Sequence, residues 1–256
     1  MDNALSISYW ALGGFYLLLL IPLVLFLRWR LALTTTLLAA VLRMTVQLAV
    51  VGLYLQTLFA FQNPWLNSFW LSAMVGVAGV TICRRAGVPL KRVLPALLLG
   101  LGLGLLIVLP AMLAGVIKVS PWWQAQYLIP VAGMLLGNCL AANVLALERW
   151  YSMLKDKQDE YRFYVALGAP NPELPFIRTA VKAALAPQLA AMTTLGIVSL
   201  PGMMTGQILG GTEPLLAVKY QLAIMVAIFI TASVSVCTTL AIASRSAFNR
   251  YGQLIL

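Results

Sequence analysis

The polar side chains that could do chemistry in this sequence lie inside otherwise apolar stretches. Asn138 and Asn143 fall five residues apart in one stretch, and Met203, Met204 and Gln207 lie close together in another. Amide oxygens and thioether sulfurs bind a metal ion weakly and reversibly, which suits a protein that must also release its cargo. These five residues are therefore candidates for lining a transport pathway.

The same side chains also have a structural interpretation. Asparagine amides can join one membrane helix to another, and methionine in an apolar helix commonly fills gaps between other side chains. Both interpretations of Asn138 and Asn143 stay open at this point. Met134 and Met192 are weaker candidates for soft metal ligation, and the sequence contains no confident metal site.

Arg43 and Gln47 form a second polar pair, spaced one helical turn apart. On one helix face they could contact a substrate or a partner. Alternatively, residues 31–42 form a short elbow helix in the membrane interface, and Arg43 at its end reaches back to the lipid headgroups. The stretch 31–61 is too long for one upright span, which favours such a bend.

The elements that must position these residues are membrane-spanning helices. The 256-residue chain is 62% hydrophobic and 9% charged, with a mean hydropathy of +0.93, far from the composition of a soluble domain. Apolar runs long enough to cross a bilayer recur along it. We predict an all-α, polytopic bundle that forms one transmembrane domain over 1–256, with about seven spans at 9–27, 44–61, 66–83, 93–114, 127–147, 188–209 and 220–244.

The basic residues follow this topology. Of the 17 Lys and Arg residues, only Lys118 and Lys219 fall on one side of the predicted membrane. The positive-inside rule therefore places the N-terminus outside and the C-terminus in the cytoplasm. Because the basic residues are spread over separate loops and are not interleaved with aromatic residues, the net charge of +10 does not indicate nucleic-acid binding.

The residues that several classes of enzyme need for catalysis or nucleotide binding are absent from this sequence. The chain contains no histidine, which removes the usual general base and the commonest metal ligand. No Walker-type phosphate loop occurs, since the glycines of 100–104 lie within an apolar run and no Lys-Ser/Thr follows them. We expect no cofactor and no nucleotide site in this chain.

One charge-dense segment, residues 148–186, separates the fifth and sixth predicted spans. It contains Glu160 in a charged, aromatic helix that should end at Gly168, a residue type favoured just after helix ends. A second helix should begin near Pro172 and lead through Pro187 into the sixth span. That span contains Pro201-Gly202, which predicts a break in its helix. The segment could transmit the push of a soluble partner, or it could be an ordinary loop that contacts lipid.

Two groups of motifs resemble known membrane proteins. The run Glu160-Tyr-Arg-Phe-Tyr-Val-Ala-Leu-Gly-Ala169 resembles the coupling motif of ABC permeases, an acidic, Ala-rich helix that ends in Ala-Leu-Gly-Ala. The other motifs are similar to those of the FetB/YbbM family, and the resemblance covers residues 31–256. Those motifs are Arg43-x-x-x-Gln47-Leu48, Gly133-Met134-x-x-Gly137-Asn138, Asn143 and Leu200-Pro201-Gly202-Met203-Met204-x-Gly206-Gln207.

The resemblance implies a permease subunit of the inner or plasma membrane, whose ATP and Mg²⁺ are bound by a separately encoded ATPase. It further implies two copies of each subunit. In some relatives it implies export of a metal ion, for which iron is the first candidate. The residues that would meet the ATPase are Glu160, Tyr161, Tyr164, Leu167 and Gly168. The cargo would pass Asn138, Asn143, Met203, Met204, Gln207, Arg43 and Gln47, beside the helix break at Pro201 and Gly202.

The alternative is a stand-alone secondary transporter or channel for a small ion or metabolite. Such proteins usually need acidic residues within the membrane for ion coupling, and none of the seven Asp and Glu residues falls within the predicted spans. An intramembrane enzyme lacks a plausible catalytic cluster. A scaffold without cargo would tolerate mutation of Asn138 or Gln207 without loss of flux.

Overall fold

The computed structural model describes residues 8–247, and within that range the chain is built from α-helices joined by short loops. Six helical segments are long and apolar enough to cross a membrane. The predicted class, an all-α polytopic bundle, is confirmed. The helices are α1 Tyr9–Tyr16, α2 Leu20–Arg28, α3 Thr34–Phe61, α4 Pro64–Ala86, α5 Leu90–Pro110, α6 Ala125–Asp156, α7 Gln158–Ala166, α8 Leu174–Thr194, α9 Gly202–Leu209 and α10 Pro214–Ala247.

Two of the crossing segments contain local changes of helix type. A 3-10 turn, Leu17–Leu19, joins α1 to α2, so that these helices act together as one crossing segment, Tyr9–Arg28. A π-helical turn, Ala111–Val116, extends α5 at its far end. The predicted single domain over 1–256 stays a prediction, because both ends of the chain lie outside the described residues.

The direction of each helix follows from its contacts. Gly100 and Gly104 of α5 approach Thr239 and Thr231 of α10, so these two helices are antiparallel. Because only residues 117–124 connect the end of the α5 segment to the start of α6, these two neighbours are also antiparallel, so α6 and α10 share a direction. Asn143 of α6 donates a hydrogen bond to Ser235 of α10 at the level of the Gly100 contact. The chain must therefore return across the bundle between the end of α6 and the start of α10.

That return is made by α8 and α9, with a break between them. The stretch 183–212 between Lys182 and Glu213 contains no charged residue, and the break at 195–201 divides it near its middle. The predicted sixth span therefore corresponds to two helical pieces, and with the six crossing segments it would bring the count to the predicted seven. The N-out, C-in orientation assigned from the basic residues requires such an odd number and stays a prediction.

The packed core lies in the C-terminal part of the bundle. Buried side chains from α4, α5, α6, α8 and α10 form one large cluster, which includes Ile82, Leu97, Leu135, Trp150 and Leu240. The first three helices stand beside this core. Of their described side chains, Leu58 alone is buried.

The predicted elbow helix over 31–42 is wrong. Instead, α3 runs without interruption from Thr34 to Phe61, and Arg43 lies within it. The helix can be this long because it meets the bundle at one end only. Tyr54 stacks on Trp70 of α4 with ring centroids 4.2 Å apart, and Leu58 packs with Ala125 and Ile129 of α6. The other end of α3, which carries Arg43 and is called its basic end below, diverges from the bundle.

Close approach of α5 and α10 depends on Gly100. A Cβ at this position would lie 2.7 Å from the backbone oxygen of Ser235 and would also overlap the Thr239 hydroxyl. The backbone cannot move aside without separating the two helices. Small residues allow membrane helices to pack this tightly, whereas a Cβ at Gly102, on another face of α5, meets nothing within 4 Å.

We predict that Gly100→Ala destabilises the permease by about 1–3 kcal/mol relative to Gly102→Ala, the cost of overpacking a tight contact. Both substitutions gain the same helix propensity of about 1 kcal/mol, so their difference isolates the steric term. Thermal unfolding of the two variants in detergent measures it. Equal midpoints would show that α5 and α10 are not packed through Gly100.

Candidate coupling helix and transport pathway

The short helix α7 ends as the sequence predicts, at Gly168. This residue has φ +70°, a left-handed conformation that a side chain disfavours. The amide of Gly168 donates to the carbonyl of Val165 at 3.0 Å, and the amide of Ala169 donates to that of Tyr164 at 3.0 Å. These bonds satisfy carbonyl groups at the helix end. A turn then leads to α8, which begins at Leu174, two residues later than the predicted Pro172.

Tyr161 attaches α7 to α8. Its side chain is buried, and its ring meets Phe176 edge-on, with centroids 6.1 Å apart at an interplanar angle of 61°. Phe176 is itself buried in the main core. Burial, followed by the nearby carboxylate of Glu173, raises the pKa of Tyr161 above its ordinary value, so the phenol stays neutral at physiological pH. A movement of α7 would thus be transmitted to the first turn of α8.

The side of α7 that faces away from Tyr161 is exposed, and it has a charged part and an apolar part. Glu160 accepts hydrogen bonds from Lys157 at 3.0 Å and from the Tyr164 hydroxyl at 3.3 Å, and such exposed pairs contribute little stability. Phe163 and Leu167, one turn apart, are 61% and 67% exposed. Two large apolar side chains on a charged helix outside the membrane are typical of a binding surface for another protein.

The break at 195–201 is confirmed as non-helical backbone. The chain leaves α8 after Thr194, turns through Gly196, whose amide donates to the Ser199 carbonyl at 3.0 Å, and resumes a helix at Gly202. Ile197 and Val198 are 88% and 78% exposed. The sequence predicts that the preceding helix leads through Pro187 into the sixth span, and α8 indeed contains this proline and ends at Thr194.

Beyond the break, α9 presents the pathway candidates Met203, Met204 and Gln207, all of which are partly buried. Met203 packs against the main core. The Oε1 atom of Gln207 is inaccessible and has no hydrogen-bond partner among the described residues. An unpaired amide oxygen at membrane depth is costly unless it meets a water, an ion or a partner, which keeps Gln207 as the strongest pathway candidate on this helix.

Asn138 and Asn143 differ sharply in environment. Asn143 is fully buried, and its Nδ2 donates to the Cys139 carbonyl and to the Ser235 hydroxyl, both at 2.9 Å. This geometry favours the interhelical interpretation of Asn143. Asn138 is exposed, and its Nδ2 donates to the Met134 carbonyl at 2.9 Å, which leaves its amide oxygen available. The pathway role of both residues stays a prediction.

Arg43 and Gln47 line a cleft of about 1370 Å³ between α3, α4 and α6. Gly137 and Leu140 of α6 line the same cleft, but Asn143, Met203 and Gln207 do not. The structure therefore divides the predicted pathway residues between two places. Met134 and Met192 are partly buried on α6 and α8, and the described part of the chain holds no cluster of three or more His, Cys, Asp or Glu side chains.

Three residues in these sites were not predicted from the sequence. Ser235 completes the contact of Asn143, Phe176 holds Tyr161, and Arg85 faces the same cleft as Arg43. Phe176 belongs to the apolar stripe of its helix, so its burial could be expected. Nothing in the sequence signals the pairing of Asn143 with Ser235, which are 92 residues apart.

Comparison with known proteins agrees with this architecture. Residues 9–248 match the model of the family described as uncharacterised protein family UPF0014. The chain belongs to the UPF0014 family. It is a multi-pass membrane protein of a permease family, as the resemblance to FetB/YbbM predicted. No solved structure matches the chain.

Three relatives align with this chain over most of the length of both proteins. It is 37% identical to the UPF0014 membrane protein slr1647 of Synechocystis sp., over 100% of both chains. It is 33% identical to the protein ALUMINUM SENSITIVE 3 of Arabidopsis thaliana, over 84% of this chain and 78% of that protein. It is 29% identical to the probable iron export permease protein FetB of Escherichia coli, over 89% of this chain and 87% of that protein.

We predict that Ser235→Ala destabilises the bundle by about 0.6 kcal/mol, and by no more than about 1.7 kcal/mol, the range measured for hydrogen bonds between membrane helices. The control is Ser233→Ala on the same helix, because the Ser233 hydroxyl is buried without a partner among the described residues. Its loss should be neutral or slightly stabilising. Chemical unfolding in mixed micelles compares the two. An effect of the same size in both variants would contradict a specific Asn143–Ser235 bond.

Proposed function

We propose that this chain is the permease subunit of an ABC-type exporter of the inner or plasma membrane. Its cargo is a metal ion, for which iron is the first candidate. Its energy comes from ATP hydrolysed by a separate ATPase subunit that binds Mg²⁺ and ATP. The proposal is supported by the similarity to FetB, the probable iron export permease protein of Escherichia coli. Two copies of the chain would work with two copies of the ATPase.

The observation that carries the proposal is the arrangement of α7, α8 and the break. Phe163 and Leu167 present an apolar contact to the aqueous phase at the basic end of the bundle. Tyr161 and Phe176 couple α7 to α8, and α8 leads without interruption to the break at 195–201. A partner that binds α7 and changes shape would therefore push on the non-helical segment 195–201.

The break also needs a second surface. Backbone groups outside a helix cannot face lipid without a large cost, and they are tolerated only against protein or water. In one copy the segment 196–200 is exposed. A second copy facing this segment would enclose a polar passage lined by the break, by Gln207 and by Asn138. Carbonyl, amide and thioether groups along such a passage would bind a cation transiently.

Transport itself supplies the direct test of the cargo. Inside-out proteoliposomes that contain the permease and the ATPase co-purified with it should accumulate ferrous iron when ATP is present, and should not do so with a non-hydrolysable ATP analogue. Iron entry at the same rate without ATP would favour the stand-alone transporter. ATP hydrolysis that the permease stimulates, with no iron entry, would contradict iron as the cargo.

We predict that Phe163→Ala combined with Leu167→Ala lowers the affinity for the ATPase roughly tenfold or more, since each truncated contact residue costs about 1 kcal/mol or more. The control is Leu106→Ala, a leucine of α5 with a similar exposure of 72%. Titration of the ATPase onto immobilised permease measures the affinity. Unchanged binding in the double variant would rule out this face of α7 as the contact.

A further inference from the structure

At one end of the cleft between α3 and α4, its closed end, the two helices are in contact. At its closed end Tyr54 stacks on Trp70. Because α3 and α4 are antiparallel neighbours, Arg43 lies about 16 Å below Tyr54 and at the level of Thr81, with Arg85 one turn further toward the basic end. The cleft is lined by both arginines. Its volume of about 1370 Å³ exceeds the roughly 300–1000 Å³ of a usual small-molecule pocket.

The chemistry of the cleft changes along its length. Toward the mouth its lining includes Arg43, Arg85 and the polar side chains Thr35, Thr36, Gln47 and Thr81, which alternate with apolar residues such as Met44. Toward the closed end the lining is apolar, with Val50, Val51, Met74 and Val77 among its side chains. The ion pairs of the described residues are Lys157–Glu160 and Arg162–Asp159, so neither cleft arginine has a carboxylate partner.

We infer that this cleft binds one anionic phospholipid of the leaflet at the basic end. Two guanidinium groups at the mouth match a phosphate, because arginine donates paired hydrogen bonds to phosphate oxygens. Basic pockets between membrane helices at the cytoplasmic side are typical sites for anionic lipid headgroups. The apolar part of the cleft accommodates an acyl chain, and the same two positive charges disfavour a free metal cation there.

A lipid in this position would explain why α3 can diverge from the bundle. The helix is held at its Tyr54 end and by a hydrogen bond between Tyr16 and Thr45, at 3.0 Å, while its basic end has no protein neighbour in the core. The lipid would fill the gap and fix the separation of α3 from α4. The inference does not depend on the cargo or on the ATPase.

The test measures retained lipid by native mass spectrometry of the full-length permease, delipidated in detergent and supplied with equal amounts of phosphatidylglycerol and phosphatidylcholine. Wild type should retain one phosphatidylglycerol preferentially. Arg43→Gln and Arg85→Gln should each lower its affinity about fivefold, on the scale of about 1 kcal/mol per basic residue near anionic lipid. The control is Arg84→Gln, since Arg84 is exposed next to Arg85 and does not line the cleft.

A second variant tests the apolar part without a change in charge. Ala73 lines the cleft, so Ala73→Trp should displace the acyl chain and lower retention while leaving thermal unfolding near that of wild type. Equal losses in Arg84→Gln and in the cleft variants would overturn the inference in favour of diffuse surface attraction. Undiminished retention in the cleft variants, or displacement of the lipid by inorganic phosphate alone, would also overturn it.

Discussion

The structure depends on one constraint, that backbone polar groups inside a membrane must be hydrogen-bonded within the protein or to water. Nearly the whole described chain meets this requirement with helical hydrogen bonds. The segment 195–201 does not, although it lies near the middle of a charge-free stretch of 30 residues, 183–212. Its turn is closed by a few backbone bonds, among them Gly196 N–H to the Ser199 carbonyl and Val198 N–H to the Thr194 carbonyl. The exposed sides of this segment therefore require water or a second protein surface.

The connection between the break and the basic end is short and stiff. Tyr161, wedged against Phe176, joins α7 to α8, and α8 has 21 residues without interruption before the break begins. On the other side, α9 rests on α10, which is tied to α5 at Gly100 and to α6 through Ser235. Both sides of the break are thus tied to the core, α8 through Phe176, Ala180 and Ala184 and α9 through its contact with α10. In the proposed function, a push on α7 would reach the break through α8.

The features that depend on local sequence could be predicted. Apolar runs gave the crossings, Gly168 marked the end of α7, and Pro201-Gly202 marked the break. The elbow at Arg43 was wrong because the charge of an arginine does not require a bend when the helix stands apart from the core. The environment of Asn143 could not be predicted, since its partner Ser235 belongs to a helix far along the chain. That Arg43 and Arg85 line the same cleft could not be predicted for the same kind of reason, since they belong to different helices.

The measurement that tests the central claim most directly is the water accessibility of the break. Ser199→Cys, made in a background where Cys83, Cys139 and Cys237 are replaced, would be treated in native membranes with a membrane-impermeant thiol reagent. Leu106→Cys, on the exposed apolar surface of α5, serves as the lipid-facing control. The account predicts rapid modification at position 199 and none at position 106. Equal protection at both positions would contradict it, because the break would then be shielded from water.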